Sequence, residues 1–178
     1  MTLAGIASLS TAVLASFNIS ALTSRNGYST IQCWQLSSLP VAARSALNYD
    51  VGNTTKAIWS IIEPRTIVGE AWATTVQLTI VLNGLIHVST LAAQELNNLS
   101  AVSADTNGYG SPPPRVEAYF QPGTLSSSVL IAADLNTTSY ISGHWTEFPS
   151  NGPTVLVQTP FKDNQVPKHT VLYDGPCI

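Results

Sequence analysis

The chain has 178 residues, 44% of them hydrophobic and only 10% charged, against roughly 25% charge in an ordinary globular domain. That length suffices for one domain with a sizeable core, and its surface must be built from Ser, Thr, Asn and Gln, a composition common among secreted proteins. Seven Lys and Arg against ten Asp and Glu, a formal net charge of −3, leave no basic footprint for a polyphosphate and argue against a nucleic-acid partner.

No basic residue precedes Arg25, and residues 3–17 (LAGIASLSTAVLASF) are apolar or small throughout. This is the character of the central region of a secretory signal peptide, although the usual positive charge near Met1 is missing. Cleavage after Ala15 or Ala21 satisfies the small-residue rule. Residues 1–21 therefore read as a signal peptide or N-terminal hydrophobic segment, the alternative being an N-terminal strand or helix that packs on the body, and residues 22–178 as a single domain. The stretch is too short and too rich in Ser and Thr for a stable membrane span, so secretion or residence in the secretory lumen is expected.

Two cysteines occur, Cys33 and Cys177. In an oxidising compartment they allow a single pairing, which would tie the two ends of the domain together; the alternative is two free thiols serving as small core residues. Sequons begin at Asn18, Asn53, Asn98 and Asn136, and Asn53, Asn98 and Asn136 are the candidate glycosylation sites of the domain. Two or three such motifs would arise by chance in a chain this rich in Asn, Ser and Thr, so they add little.

Ser38 followed by Leu39, Ala42, Ala43, Ala46 and Leu47 has helical spacing behind an N-cap residue, which predicts a short helix over residues 39–48. From Lys56 onward the pattern turns to β. Segments 57–63, 67–72, 75–82, 85–90, 116–121, 128–134, 145–148, 154–158 and 170–173 are rich in Val, Ile, Thr and aromatics and are separated by turn signals such as Asn83-Gly84 and Pro122-Gly123. The fold class is all-β, a barrel or jelly roll with one or two short helices. Between residues 90 and 116 lies an insertion, a helical turn over 91–99 followed by the Gly- and Pro-rich stretch 108–114, which is either a lid or a solvated linker.

Period-2 alternation puts Val76, Leu78, Ile80 and Leu82 on one face of their strand and Gln77, Thr79 and Val81 on the other. The apolar face must be covered, which suggests a homodimer through sheet packing. The mixed face suits a lumen that admits a small molecule.

Residues 77–84 (QLTIVLNG) resemble the end of the first motif of the cupin superfamily, where a Glu or Gln is followed by six residues and a turn Gly. Gln121-Pro122-Gly123, then residues 129–134 (VLIAAD), then Gly143-His144 with residues 145–148 (WTEF), are similar to the second motif of small single-domain cupins, including secreted fungal cupin-like proteins. The resemblance implies a jelly-roll β-barrel. Cupins that hold a metal carry His-x-His before the Glu or Gln, whereas residues 70–74 here (EAWAT) contain no histidine. By the resemblance His144 is the surviving ligand, Gln77 stands in the carboxylate position, and Glu70 or Trp72 lies near the lost histidines. His, Gln and Glu make a poor set for Fe, Cu or Zn, so no metal ligand is assigned; His87, rotating in from the next strand, is the one route to a weak divalent site.

The expected site is thus an apolar cavity with a few polar groups. His144 and Gln77 are its candidate catalytic residues, with Trp72, Thr79, Glu70, Trp145, Thr146 and His87 as candidate substrate contacts. Asp134 or Glu147 is placed to orient the imidazole, Glu147 less favourably because an odd spacing from His144 puts it on the opposite face. Trp34 and Trp59 read as core or interface anchors, and His169 as surface or structural. No Gly-x-Ser-x-Gly elbow supports nucleophilic catalysis. The leading expectation is a cofactor-free cyclisation or isomerisation of an apolar small molecule, of the kind used in natural-product biosynthesis. The alternatives are a non-enzymatic secreted binding protein and a metal-dependent oxygenase or isomerase.

Overall fold

The computed structural model describes residues 16–92 and 114–178. Its strands are β1 (Asn18–Arg25), β2 (Tyr28–Leu36), β3 (Val41–Ala43), β4 (Ala46–Asn48), β5 (Ile58–Ile62), β6 (Thr66–Ala71), β7 (Gln77–Asn83), β8 (Ile86–Leu91), β9 (Arg115–Phe120), β10 (Val129–Ala132), β11 (His144–Phe148), β12 (Thr154–Pro160) and β13 (His169–Asp174). One helical turn, α1 (Leu125–Ser128), and a 3-10 turn at Lys162–Asn164 complete the elements. The chain is all-β, and the nine strands expected from Lys56 onward are all present.

Seven strands form one sheet in the order β13-β2-β1-β10-β7-β12-β5, and four form a second in the order β6-β11-β8-β9. All neighbours are antiparallel except β1 and β10, which run parallel. The described strands make two open sheets rather than the expected closed barrel, because β5 and β13 end the first sheet and β6 and β9 the second without pairing across.

Alternation along β7 and β10 gives the larger sheet an apolar core on each face. Its inner face packs Leu22, Val81, Leu130 and Leu156 against Ile86, Val88, Ala118, Phe120 and Phe148 of the smaller sheet. Its outer face gathers Ile19, Trp34, Val76, Leu78 and Ile131, with Phe161, Phe17, Val51 and Leu135 packed on them. Val76 and Leu78 are therefore covered by the chain itself, which removes the reason for a second copy to pack over that end of β7; Leu82, at its other end, stays exposed.

Two sequence expectations fail on the N-terminal side. The boundary after residue 21 falls inside β1, whose Ile19, Ala21 and Leu22 are core residues, so from Asn18 onward the chain follows the alternative of an N-terminal strand packed on the body. Residues 39–48 form the β3-β4 hairpin instead of a helix, with Arg44 at φ 53° in its turn. A ten-residue helix is marginal unless one face is buried, and every residue of β3 and β4 is exposed. The signal segment up to residue 15, most of the predicted helical turn at 91–99, the stretch 108–113 and the sequon at Asn98 lie outside the described residues.

Cys33 and Cys177 form a disulfide spanning 144 positions, and the Cys177 amide donates to Ser20 Oγ at 2.9 Å. Closing so long a loop contributes about 5 kcal/mol in the chain-entropy model. His169 stacks on buried Trp34 with ring centroids 3.6 Å apart. Among the described residues no helix is long and apolar enough to cross a membrane.

Candidate functional site

A cavity of about 240 Å³ lies between the two sheets. The larger sheet supplies Leu22, Gln77, Thr79, Leu130, Ala132, Leu156 and Gln158; the smaller supplies Val68, Ile86, Val88, His144, Thr146 and Phe148; residues 71–74 close one end. Among the described residues no Lys or Arg lines it. Strand parity explains the set: Gln77 pairs with Ala132 and Thr79 with Gln158 across ladders whose members share the inner face, and His144 and Thr146 alternate inward on β11.

His144 is the chemically distinctive wall residue. Its Nδ1–H donates to Asp134 Oδ2 at 2.5 Å, and Ser29 Oγ–H donates to the same oxygen at 2.6 Å. Asp134 is fully buried. A carboxylate on Nδ1 fixes the tautomer and leaves Nε2 as the nitrogen free to exchange a proton with a molecule in the cavity. Of the buried polar atoms without a partner among the described residues, two belong to this site: Thr146 Oγ1, on the cavity wall beside His144, and Asp134 Oδ1. Unsatisfied buried oxygens are costly, so a ligand or water with a polar group beside Thr146 is favoured.

Three further lining side chains, Trp72, Gln77 and Gln158, are tethered. Trp72 Nε1–H donates to the Ser139 carbonyl at 2.8 Å, Thr75 Oγ1–H to Gln77 Oε1 at 3.4 Å and Ser60 Oγ–H to Gln158 Oε1 at 2.9 Å. These bonds set amide and ring orientations before any ligand arrives.

His144, Gln77, Trp72, Thr79 and Thr146 are thus brought together, while Glu70, Trp145 and His87 are not. Those three lie on the outer face of the smaller sheet. Glu70 Oε1 accepts from Ser142 Oγ–H and from the Gly143 amide, both at 2.9 Å, and so holds the backbone leading into His144. Trp145 is paired with Glu70 across the ladder and donates Nε1–H to Glu147 at 3.2 Å. His87 stacks on Tyr119 at 4.6 Å and has Glu117 and Glu147 at 3.7 and 3.6 Å. His87, His144 and Gln77 therefore cannot converge on one ion, and among the described residues no group of three His, Cys, Asp or Glu side chains is placed to hold a metal. Glu147 serves the outer face and Asp134 is the partner of His144, as the odd spacing requires.

Tyr119 donates to Glu117 at 3.0 Å. That hydrogen bond, with desolvation and the negative charges of Glu117 and Glu147, holds its phenol above the ordinary range. Of the sequon asparagines, Asn53 and Asn136 are exposed, and Asn18 is half-buried.

Two contributors are absent from the sequence reading, Ser29 and Gln158. Ser29 reaches Asp134 only because β1 pairs with both β2 and β10. Gln158 stood at the end of a recognised strand, and its pairing with Thr79 would have revealed it.

No family model, curated protein or solved structure matches the chain.

Proposed function

We propose that this chain is a secreted cupin-like protein that takes an uncharged, largely apolar small molecule between its sheets and promotes its cyclisation or isomerisation by proton transfer at His144. The observation that carries this reading is the buried Ser29–Asp134–His144 arrangement in the wall of an apolar cavity. Nε2 takes a proton from one atom of the ligand and returns it to another, so the rearrangement is redox-neutral and needs no co-reactant. Gln77, Thr79 and Thr146 supply hydrogen bonds, and the walls hold a reactive conformer. A volume just under the usual roughly 300–1,000 Å³ of ligand sites favours a compact molecule. Under this reading the cupin-like motifs around Gln77 and His144 belong to a jelly roll whose two sheets stay open at their edges.

The mainly aliphatic lining supports a second reading, a secreted binding protein that consumes nothing. Both are tested by releasing small molecules from natively purified protein, identifying them by mass spectrometry and incubating them with fresh protein. Conversion that disappears in His144→Asn supports catalysis, and retention without conversion supports binding alone. Full conversion by His144→Asn would overturn the proton-transfer assignment.

A further inference from the structure

The β5 edge carries an apolar surface that the described residues leave uncovered. Its sequence, IWSII, has no charge, proline or glycine, and its ladder with β12 runs without a bulge. Trp59 and Ile61 are 63% and 66% exposed on the outer face, flanked by their cross-strand neighbours Val157 and Val155.

Edges are ordinarily blunted by charge or irregularity so that they do not pair with other chains. The other three are: β13 has a register shift and the Arg25–Asp174 ion pair, β6 a register shift and Glu70, and β9 Arg115 and Glu117. Of the four edges of the two larger sheets β5 alone is bare; β3 and β4, three residues each, are too short to offer a comparable ladder.

We propose that β5 is a self-pairing interface, at which a second copy adds its own β5 antiparallel across a two-fold axis at Ser60 and joins the two larger sheets into one. The strand is complementary to itself in that register. A continuous sheet requires facing residues to lie on the same side, so paired residue numbers must sum to an even value. With Ser60 opposite Ser60 of the second copy, Trp59 meets Ile61 on the outer face and Ile58 meets Ile62 on the inner one, the aromatic and β-branched pairings that stabilise sheets. The charges agree. Lys56 of each copy falls opposite Pro64 of the other, beside Glu63, while the neighbouring Arg65 is turned onto Asn151, to whose Oδ1 it donates twice, so Glu63 is the charge left to face Lys56 at each end of the ladder. The symmetry closes at two copies and leaves no free β5 to extend a fibre.

Sedimentation of the full chain across the micromolar range tests this. A species of twice the mass of one chain is expected, and Ile61→Lys should return it to one chain's mass while keeping the native circular dichroism spectrum. The Ser60→Cys chain, whose new thiol is the one cysteine outside the Cys33–Cys177 bridge, should cross-link to its own copy on mild oxidation; Ile61→Cys, which faces Trp59, should not. A monomeric wild type, a dimer that survives Ile61→Lys, larger assemblies, or cross-linking at position 61 in place of 60 would each overturn the proposal.

Discussion

Nδ1 of His144 and Oδ2 of Asp134, 2.5 Å apart, come from different sheets. Asp134 follows the end of β10 in the larger sheet, and His144 opens β11 in the smaller one. The pair therefore pins the sheets together beside the cavity and orients the imidazole that lines it. Stability and chemistry meet in one contact, so a useful variant must separate them.

His144→Asn makes that separation. The Asn amide occupies nearly the place of Nδ1 and keeps a donor for Asp134, while the position of Nε2 is emptied. Native folding should persist and turnover should fall by about 10²–10⁴, the usual worth of a positioned acid or base. His144→Ala instead leaves Asp134 buried with only Ser29, and losing a hydrogen bond to a buried carboxylate costs about 1.5–3 kcal/mol. Urea titration of both variants checks the contrast; equal destabilisation would mean that the asparagine does not replace the lost donor.

Ser29→Ala should act on stability and on orientation together. A buried carboxylate that loses a hydroxyl donor is destabilised by about 1.5–3 kcal/mol, and Asp134 already has one unpartnered oxygen. Ser29→Thr, which restores a hydroxyl, should recover most of the loss. An alanine variant with an unchanged urea midpoint would show that the Ser29 bond contributes nothing.

The sequence made the inner half of the sandwich readable from β5 onward, because period-2 alternation needs no partner to be seen. Gln77 with Thr79, and His144 with Thr146, fall on common faces for that reason, and the parity of 144 and 147 separates Asp134 from Glu147 as the imidazole's partner. Alternation within one strand does not say which side faces the other sheet, so the sequence alone cannot separate Glu70 and His87 from the cavity residues. Their outward placement follows from the β6-β11 and β11-β8 registers, which are tertiary information. The β1-β2 hairpin was legible but hidden by the leader reading. Asn26 and Gly27 both have positive φ, the Asn-Gly turn of a two-residue hairpin.

Tyr119 gives the outer face a pH signature. Its phenol donates to Glu117 and faces the charge of Glu147, so the proton is held to higher pH than the ordinary value of about 10. Because the folded chain binds this proton more tightly than the unfolded one, the contribution to stability is complete below the unfolded value and fades as pH rises through the raised one. Ultraviolet titration should show late tyrosinate absorbance that moves to lower pH in Glu117→Gln. A titration unaffected by that substitution would rule out Glu117 as the cause.

Gly143 tests whether the approach to His144 is as tight as the structure makes it. A Cβ there would meet the Ala71 carbonyl oxygen and the Trp72 ring, while Glu70 Oε1 already holds the Gly143 amide at 2.9 Å. The backbone carbonyl cannot swing aside as a side chain can, because Ala71 is paired with His144 in the β6-β11 ladder. Gly143→Ala should therefore cost about 1–3 kcal/mol, the usual penalty of overpacking, and push Trp72 off the cavity wall. Loss of ligand retention along with lowered stability is the expected result. Wild-type stability and retention would mean that the turn before β11 has room for a side chain, and that Gly143 does not set the position of His144.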